Sequence, residues 1–351
     1  MALLGTTMMT LADWAKLQDP DSTPAAVAEM LNQTNDVLMD AVWRQGNLDT
    51  GEQVSIRTGL PAIYWRQVNE FTASSKSEAA QVTETCGSME ARSIIDVKLA
   101  RLGGNVDALR ATEDMAFIEA MNQEFIRTLI YGNNATDPAK FLGFAGRFST
   151  LGAGNGVNII DCGGVTNGSQ MSAWLVGWGD QSTYCIFPKG MPMGLTHQNL
   201  GETTVYKNDG SGTLKAMQAY QSLFTWDCGL VVKDWRSVVR FANIDATEVR
   251  ALTQGGTNIT SIQAAGTTSN FLHRFLVGLA KIPFPRRVRL ALYVNRELWT
   301  ALTRIAMEKS SAAVTLYSGA SQFGGPMDMV SIFGVKVRLV DQLLSTEDRV
   351  I

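Results

Sequence analysis

The longest amphipathic run in the chain lies between residues 106 and 131. Leu109, Ile118, Met121, Phe125, Ile126 and Leu129 recur mainly at spacings of three and four, the period of one helix face. Asp107, Arg110, Glu113, Asp114, Glu119, Asn122, Glu124 and Arg127 fall between them, mostly on the face expected to be solvated. Asn105 is placed to cap the start, and Gly132, Asn133 and Asn134 to end it. At 1.5 Å per residue the predicted helix is a rod of roughly 39 Å, more than twice the mean length of about 11–12 residues. A rod with one apolar stripe requires a sheet to lie on.

The segments ahead of it lack a core. Residues 1–45 carry two helical patterns, 10–17 and 24–44, the second with Val27, Met30, Leu31, Val37, Leu38 and Val42 on one side. From residue 46 to about 100 the period switches to two. Val54 to Arg57 alternates, Gly59-Leu60-Pro61 interrupts, and Ile63 to Val68 resumes an extended pattern. Residues 69–81 are small and polar, a predicted tip, and a second extended run returns from Val82 through Cys86 to Ile94, Ile95, Val97 and Leu99. This predicts a long hairpin. An isolated two-stranded hairpin is marginal in water, so it must pack on another body, its own subunit's or a neighbour's.

Beyond the helix, strands are predicted at 157–160, 172–178, 183–187, 222–232, 288–294, 330–333 and 335–340, and helices at 269–279 and 296–309. Leu298, Leu302, Ile305 and Ala306 form the buried face of the last helix. Strands and helices mix without regular βαβ alternation, which predicts an α+β fold.

Composition narrows the function. The chain of 351 residues is 45% hydrophobic and 18% charged, with 32 glycines and a net charge of −3. This is globular composition, and it leaves open a contact-rich surface or an ordinary inventory of glycine loops. A dedicated nucleic-acid binder would carry a dense basic stripe. The nearest run, Arg286-Arg287-Val288-Arg289, reads as the polar lead-in to a strand, with a phosphate site as the alternative. No secretory leader or membrane span is visible, so synthesis in a cytoplasm is expected. Cys86, Cys162, Cys185 and Cys228 are scattered without CxxC and are expected to be reduced, buried thiols.

Candidate chemistry is sparse. His197 is placed in a loop and His273 in an apolar helix, neither at metal-ligand spacing from another ligand type. No GxSxG elbow occurs. The glycines of 150–156 fit no phosphate-loop spacing. Glu113-Asp114 reads as solvation of the long helix. No cofactor or metal is expected. The enzymatic alternative is a soluble α+β cysteine-dependent hydrolase using Cys162 or Cys228 with His197.

Local sequence carries a resemblance. Leu31-Asn32-Gln33-Thr34-Asn35 lies in the arm, and Arg57-Thr58-Gly59-Leu60-Pro61 precedes Trp65-Arg66. Thr83-Glu84-Thr85-Cys86-Gly87, Ala116-Phe117-Ile118-Glu119-Ala120-Met121-Asn122-Gln123 and Tyr131-Gly132-Asn133 follow. Ile186-Phe187-Pro188-Lys189-Gly190, Trp226-Asp227-Cys228-Gly229-Leu230 and Arg240-Phe241-Ala242-Asn243-Ile244 come later. In this order they resemble the major capsid proteins of tailed double-stranded DNA bacteriophages, the Hong Kong ninety-seven type of capsid fold.

The resemblance implies a structural virion protein, not an enzyme. It implies an N-terminal arm (1–45), an extended β-hairpin loop (46–100), and a peripheral domain (101–150) with the spine helix 106–131. Residues 151–351 would be mainly axial domain, with 215–241 returning to the peripheral domain. Copies would form hexamers and pentamers of an icosahedral head around packaged double-stranded DNA, held without sequence specificity. A separate scaffolding protein, a portal protein and decoration proteins are the further partners implied, with assembly in the host cytoplasm. Hairpin residues Arg57, Tyr64, Trp65, Arg66, Phe71, Lys76 and Glu78 are the candidate intersubunit contacts.

Overall fold

The computed structural model describes residues 9, 13, 33–102, 105–152, 154–208, 214–253, 271–307, 314–317 and 329–351. In chain order the elements are helix α1 (Val37–Asp40) and strands β1 (Trp43–Gln45), β2 (Gly51–Gly59), β3 (Glu78–Thr85) and β4 (Gly87–Asp96). Helices α2 (Val97–Leu102), α3 (Val106–Tyr131) and α4 (Phe144–Arg147) follow. Strands β5 (Ile159–Asp161), β6 (Gln170–Trp178), β7 (Thr183–Phe187), β8 (Thr196–Asn208), β9 (Leu214–Val232) and β10 (Val238–Asp245) come next. Then come α5 (Ala246–Thr253), α6 (Phe271–Lys281), β11 (Arg289–Val294), α7 (Arg296–Met307), β12 (Val314–Tyr317), β13 (Met329–Ile332) and β14 (Val335–Leu339). The chain forms two compact units. No described helix is long and apolar enough to cross a membrane.

The first unit comprises Met1–Gln33, Ser88–Phe125 and Gly194–Asp227. Strands β8 and β9 pair antiparallel from Thr196↔Thr225 to Asn208↔Leu214, and β4 lies beside β9. Helix α3 has the bounds its periodicity predicts, and Asn105 Oδ1 accepts from the Ala108 amide at 3.1 Å. Phe117 stacks on Phe224 at 6.0 Å and Phe125 on Trp226 at 4.6 Å. Arg110 donates to Asn199 (2.7 Å) and Ser222 (3.2 Å) and lies over the Tyr220 ring.

Two expectations about this helix fail. Ile118 is exposed, and Glu113 and Asp114 are half-buried. The packed stripe runs Arg110, Asp114, Phe117, Met121, Phe125, so part of it is polar: Arg110 donates to strand side chains and Asp114 Oδ2 accepts from Ser222. Ile118 lies off that stripe. Burial, and then the negative charges of Asp114 and Asp13, push the Glu113 carboxyl upward.

The second unit comprises Thr34–Gly87, Ile126–Met193 and Cys228–Ile351. Strand β6 lies between β10 and β11, antiparallel to both, and all of its residues are buried. A strand covered on both faces reads as a continuous run rather than an alternation. Met171, Ala173 and Leu175 face a core with Phe241, Phe275, Leu292, Leu298 and Leu302. On the other face Trp174 meets Phe144 and Phe148, and the Trp178 indole donates to Tyr293 Oη at 2.7 Å. Beyond β11 the sheet continues through β14 (parallel), then β13 and β12 (antiparallel). The tight β13–β14 turn places Gly334 at φ 80°, a conformation glycine adopts freely.

The predicted helix 24–44 is corrected where it is described. Only α1 is helical, Ala41 is extended, and β1 pairs parallel with β7. The winning interactions are long-range. Asp40 is buried against Arg338 (2.7 and 3.1 Å), and Asp36 donates its amide to Leu339. The 10–17 pattern and residues 24–32 lie outside the described residues, apart from Asp13. Cys86 separates β3 from β4, and 97–102 is helical, so the predicted return strand is two strands and a helix.

A buried polar network seats the last residues of the chain. Glu347 accepts from Tyr131 Oη (2.6 Å), Ser172 Oγ (2.5 Å) and Arg240 Nη2 (2.9 Å), and Arg240 also donates to the Phe148 carbonyl. Asn243 brackets Val350 through its amide and carbonyl. Removing one member of a buried pair strands the other charge, at about 3–5 kcal/mol. Arg240→Ala is therefore expected to lower the urea unfolding midpoint by a comparable stability loss. An unchanged midpoint would show the network to be incidental.

Candidate intersubunit surface

Strands β2 and β3 form a separate two-stranded sheet within the second unit, in register from Gly51↔Thr85 to Gly59↔Glu78. Its base is built into that unit. Val54 is buried with Tyr184, Ile186 and Val231, and Ile56 packs against them. Glu52 accepts from the Tyr184 hydroxyl at 2.9 Å. Burial first, and the Glu52 carboxylate second, push that hydroxyl's pKa upward and keep it a donor. Glu84 takes a two-pronged bond from Arg147 at 2.6 and 2.7 Å, and the same guanidinium donates to the Leu142 and Leu230 carbonyls. Asn47 brackets Gln53 on the outer edge of β2, giving and receiving a bond of 2.8 Å.

Beyond Gly59 the hairpin leaves that body. Residues 60–77 form no strand, which corrects the extended ladder predicted for Ile63 to Val68. Among the described residues that alternation has no strand partner. Few local bonds shape it: Ser75 Oγ donates to the Ala62 carbonyl (2.8 Å), and Gln67 and Glu70 close a turn with Asn69 at φ 69°. Its apolar side chains are uncovered. Trp65 and Phe71 are fully exposed at 103% and 101%, with Ile63 at 90%, Val68 at 88% and Leu60 at 82%.

All seven candidate contact residues lie on this hairpin, and all are exposed: Arg57, Tyr64, Trp65, Arg66, Phe71, Lys76 and Glu78. The sequence reading missed Leu60, Ile63 and Val68 as members of the same surface. The signal was present, since apolar residues flank Pro61 in a segment that offers them no core. An exposed apolar group rimmed by charges marks an interaction site.

The residues considered for catalysis are placed elsewhere. His197 is not in a loop: it lies in β8, its ring stacked on Phe224 at 4.8 Å and Nε2 3.6 Å from Asp114 Oδ2. The register with β9 draws it into the sheet, and its contacts serve helix packing in the first unit. Cys162 and Cys228 are buried in the second. Burial pushes the Cys162 thiol from 9.0 up to about 12, the reverse of nucleophile activation. Cys185 is pushed up by burial as well. Among the described residues no group of three His, Cys, Asp or Glu could hold a metal ion.

Comparison with known proteins adds the following. Residues 19–351 match the family described as Major capsid protein GP7. The near-atomic-resolution structure of bacteriophage Epsilon15 is similar, with 26% identity, 100% of this chain and 99% of that chain covered, and a TM-score of 0.71. The capsid of bacteriophage JBD30 matches with 11% identity, 95% and 99% coverage and a TM-score of 0.47. No curated protein sequence gives a significant match.

Two outcomes follow from this geometry. A Cβ on Gly51 would lie 2.0 Å from the Glu84 carbonyl oxygen, whereas one on Gly59 meets only the Glu78 side chain at 3.3 Å. Gly51→Ala is expected to part the hairpin base and speed limited proteolysis within 46–86, and Gly59→Ala to leave it near wild type. Equal cleavage of the two variants would refute the clamp. The raised Cys162 pKa favours the fold while the thiol is neutral, so its contribution is complete below about pH 9 and lost as pH rises toward about 12. At pH 8 Cys162 and Cys185 should resist a thiol reagent until the chain is unfolded. Rapid labelling of either in the native chain would contradict their burial.

Proposed function

From the premise that this chain belongs to the GP7 family of major capsid proteins, and is a structural, non-enzymatic capsid subunit that assembles with its own copies, we propose how it does so. The hairpin of β2 and β3 is the extended loop, and its tip lies on a neighbouring subunit of the same capsomer. The observation that carries this is the apolar tip, clamped at its base by buried charges and uncovered at its end. Trp65 and Phe71 act as anchors, with Tyr64 beside them. Arg57, Arg66, Lys76 and Glu78 supply a charged rim that fixes register, the division of labour common to specific interfaces.

Within this reading residues 1–45 form the N-terminal arm and α3 is the spine of the peripheral domain. The body built around β6 supplies most of the axial domain, and part of 215–241 returns to the peripheral domain. Hexamers and pentamers close an icosahedral head around double-stranded DNA. Assembly takes place in the host cytoplasm with a scaffolding protein, and a portal and decoration proteins complete the particle. Many modest contacts become cooperative because the shell closes by symmetry.

The test separates folding from assembly. Trp65→Ser with Phe71→Ser removes two fully exposed side chains, so circular dichroism and the melting midpoint should stay at wild-type values. Size-exclusion chromatography and negative-stain microscopy should show loss of shells and capsomers. Normal particles from the double variant would overturn the role given to the tip.

A further inference from the structure

The turn between α6 and β11 carries a charge concentration that the tip does not use. Arg286, Arg287 and Arg289 stand within four residues, all exposed, in a chain whose net charge is −3. Among the described residues none of the three is in an ion pair. Lys281 is not part of the free set, since its ammonium is engaged by the Val157 carbonyl.

The turn is shaped as well as charged. The Arg287 amide donates to the Phe284 carbonyl at 3.1 Å, closing a tight turn, and Pro283 and Pro285 restrict the backbone on either side of Phe284. The Arg287 guanidinium lies over the Phe284 ring at 5.0 Å, within the turn itself. Arg289 is tethered by its guanidinium to the Met39 carbonyl at 3.4 Å. Two forks, Arg286 and Arg287, are left presented to solvent on a stiffened support. Guanidinium forks match phosphate oxygens, and arginines are a common sequence-independent phosphate contact.

We propose that the 283–289 turn is a backbone-phosphate contact for double-stranded DNA, with Arg286 and Arg287 as the contacting residues. This rests on the shell reading above for its biological setting, but its chemistry is a property of the turn. The partner is read by charge alone, because an exposed loop of two arginines has no geometry for base edges.

The full-length chain, as soluble subunit and as shell, is titrated with a short fluorescent DNA duplex over a range of salt concentrations. Arg286→Gln with Arg287→Gln should keep the wild-type melting midpoint and still form shells. Its log–log salt slope of DNA binding should fall by about 1.8, the value for two phosphate contacts. A wild-type chain that binds no duplex at low salt, or a variant with the wild-type slope, would overturn the proposal. So would a variant that binds DNA normally and fails to form shells, since the arginines would then serve a neighbouring subunit's carboxylates. Failure of the wild-type chain to assemble would count against the shell reading alone, because the soluble-subunit titration still reads the turn.

Discussion

Two strands cannot stabilise themselves in water, and the structure answers that constraint at the base of the β2–β3 hairpin. Val54 and Ile56 are too few apolar residues to hold a nine-residue strand on a body. Two carboxylates do the rest, Glu52 under the Tyr184 hydroxyl and Glu84 in the fork of Arg147. Charges buried this way gain little net stability, but breaking one pair is severe. They fix register rather than add strength. A slip of one residue would turn Val54 outward and both carboxylates away from their donors.

That rigidity gives the exposed tip its meaning. Fully burying a Leu, Ile or Phe side chain gains about 1.5–3 kcal/mol, and the tip forgoes this for Leu60, Ile63 and Phe71 within its own subunit. A floppy tip would lose much of that gain to ordering on association. One held at its root by a clamped ladder loses less. The same clamp that makes the hairpin foldable in the monomer is what the proposed contact between copies relies on.

How much of this was legible depended on whether a segment's structure was decided locally. The bounds of α3 were readable because Asn105 is a local start signal, Gly132 a local stop signal, and the periodic run between them is long. Strand β6 was readable because a run buried on both faces looks the same in any fold. The segment 24–44 was misread where described, because Asp40 and Arg338 meet across nearly the whole chain and their pairing replaces helix with a single turn and a strand. Residues 63–68 were misread for the opposite reason. Alternation specifies an extended peptide but not its pairing partner, and among the described residues it has none. The seven proposed contact residues are exposed, yet Leu60, Ile63 and Val68 beside them were absorbed into an imagined ladder.

Ile118 and Asp114 show the limit of binary patterning most clearly. Hydrophobicity alone places Ile118 inward and Asp114 outward, and the structure does the reverse. A helix lying on a two-stranded hairpin presents a narrow stripe, and β8 and β9 line it with Asn199, Ser222 and His197 beside Phe224 and Tyr220. Against such a surface a carboxylate with hydroxyl and imidazole neighbours is better placed than an aliphatic side chain, which would bury donors without acceptors. Polar lining of this kind also accounts for His197, whose neighbour Asp114 belongs to the packed helix. Its Nε2 faces Asp114 on the helix, and its ring stacks on Phe224 of β9, so its contacts serve packing within the first unit.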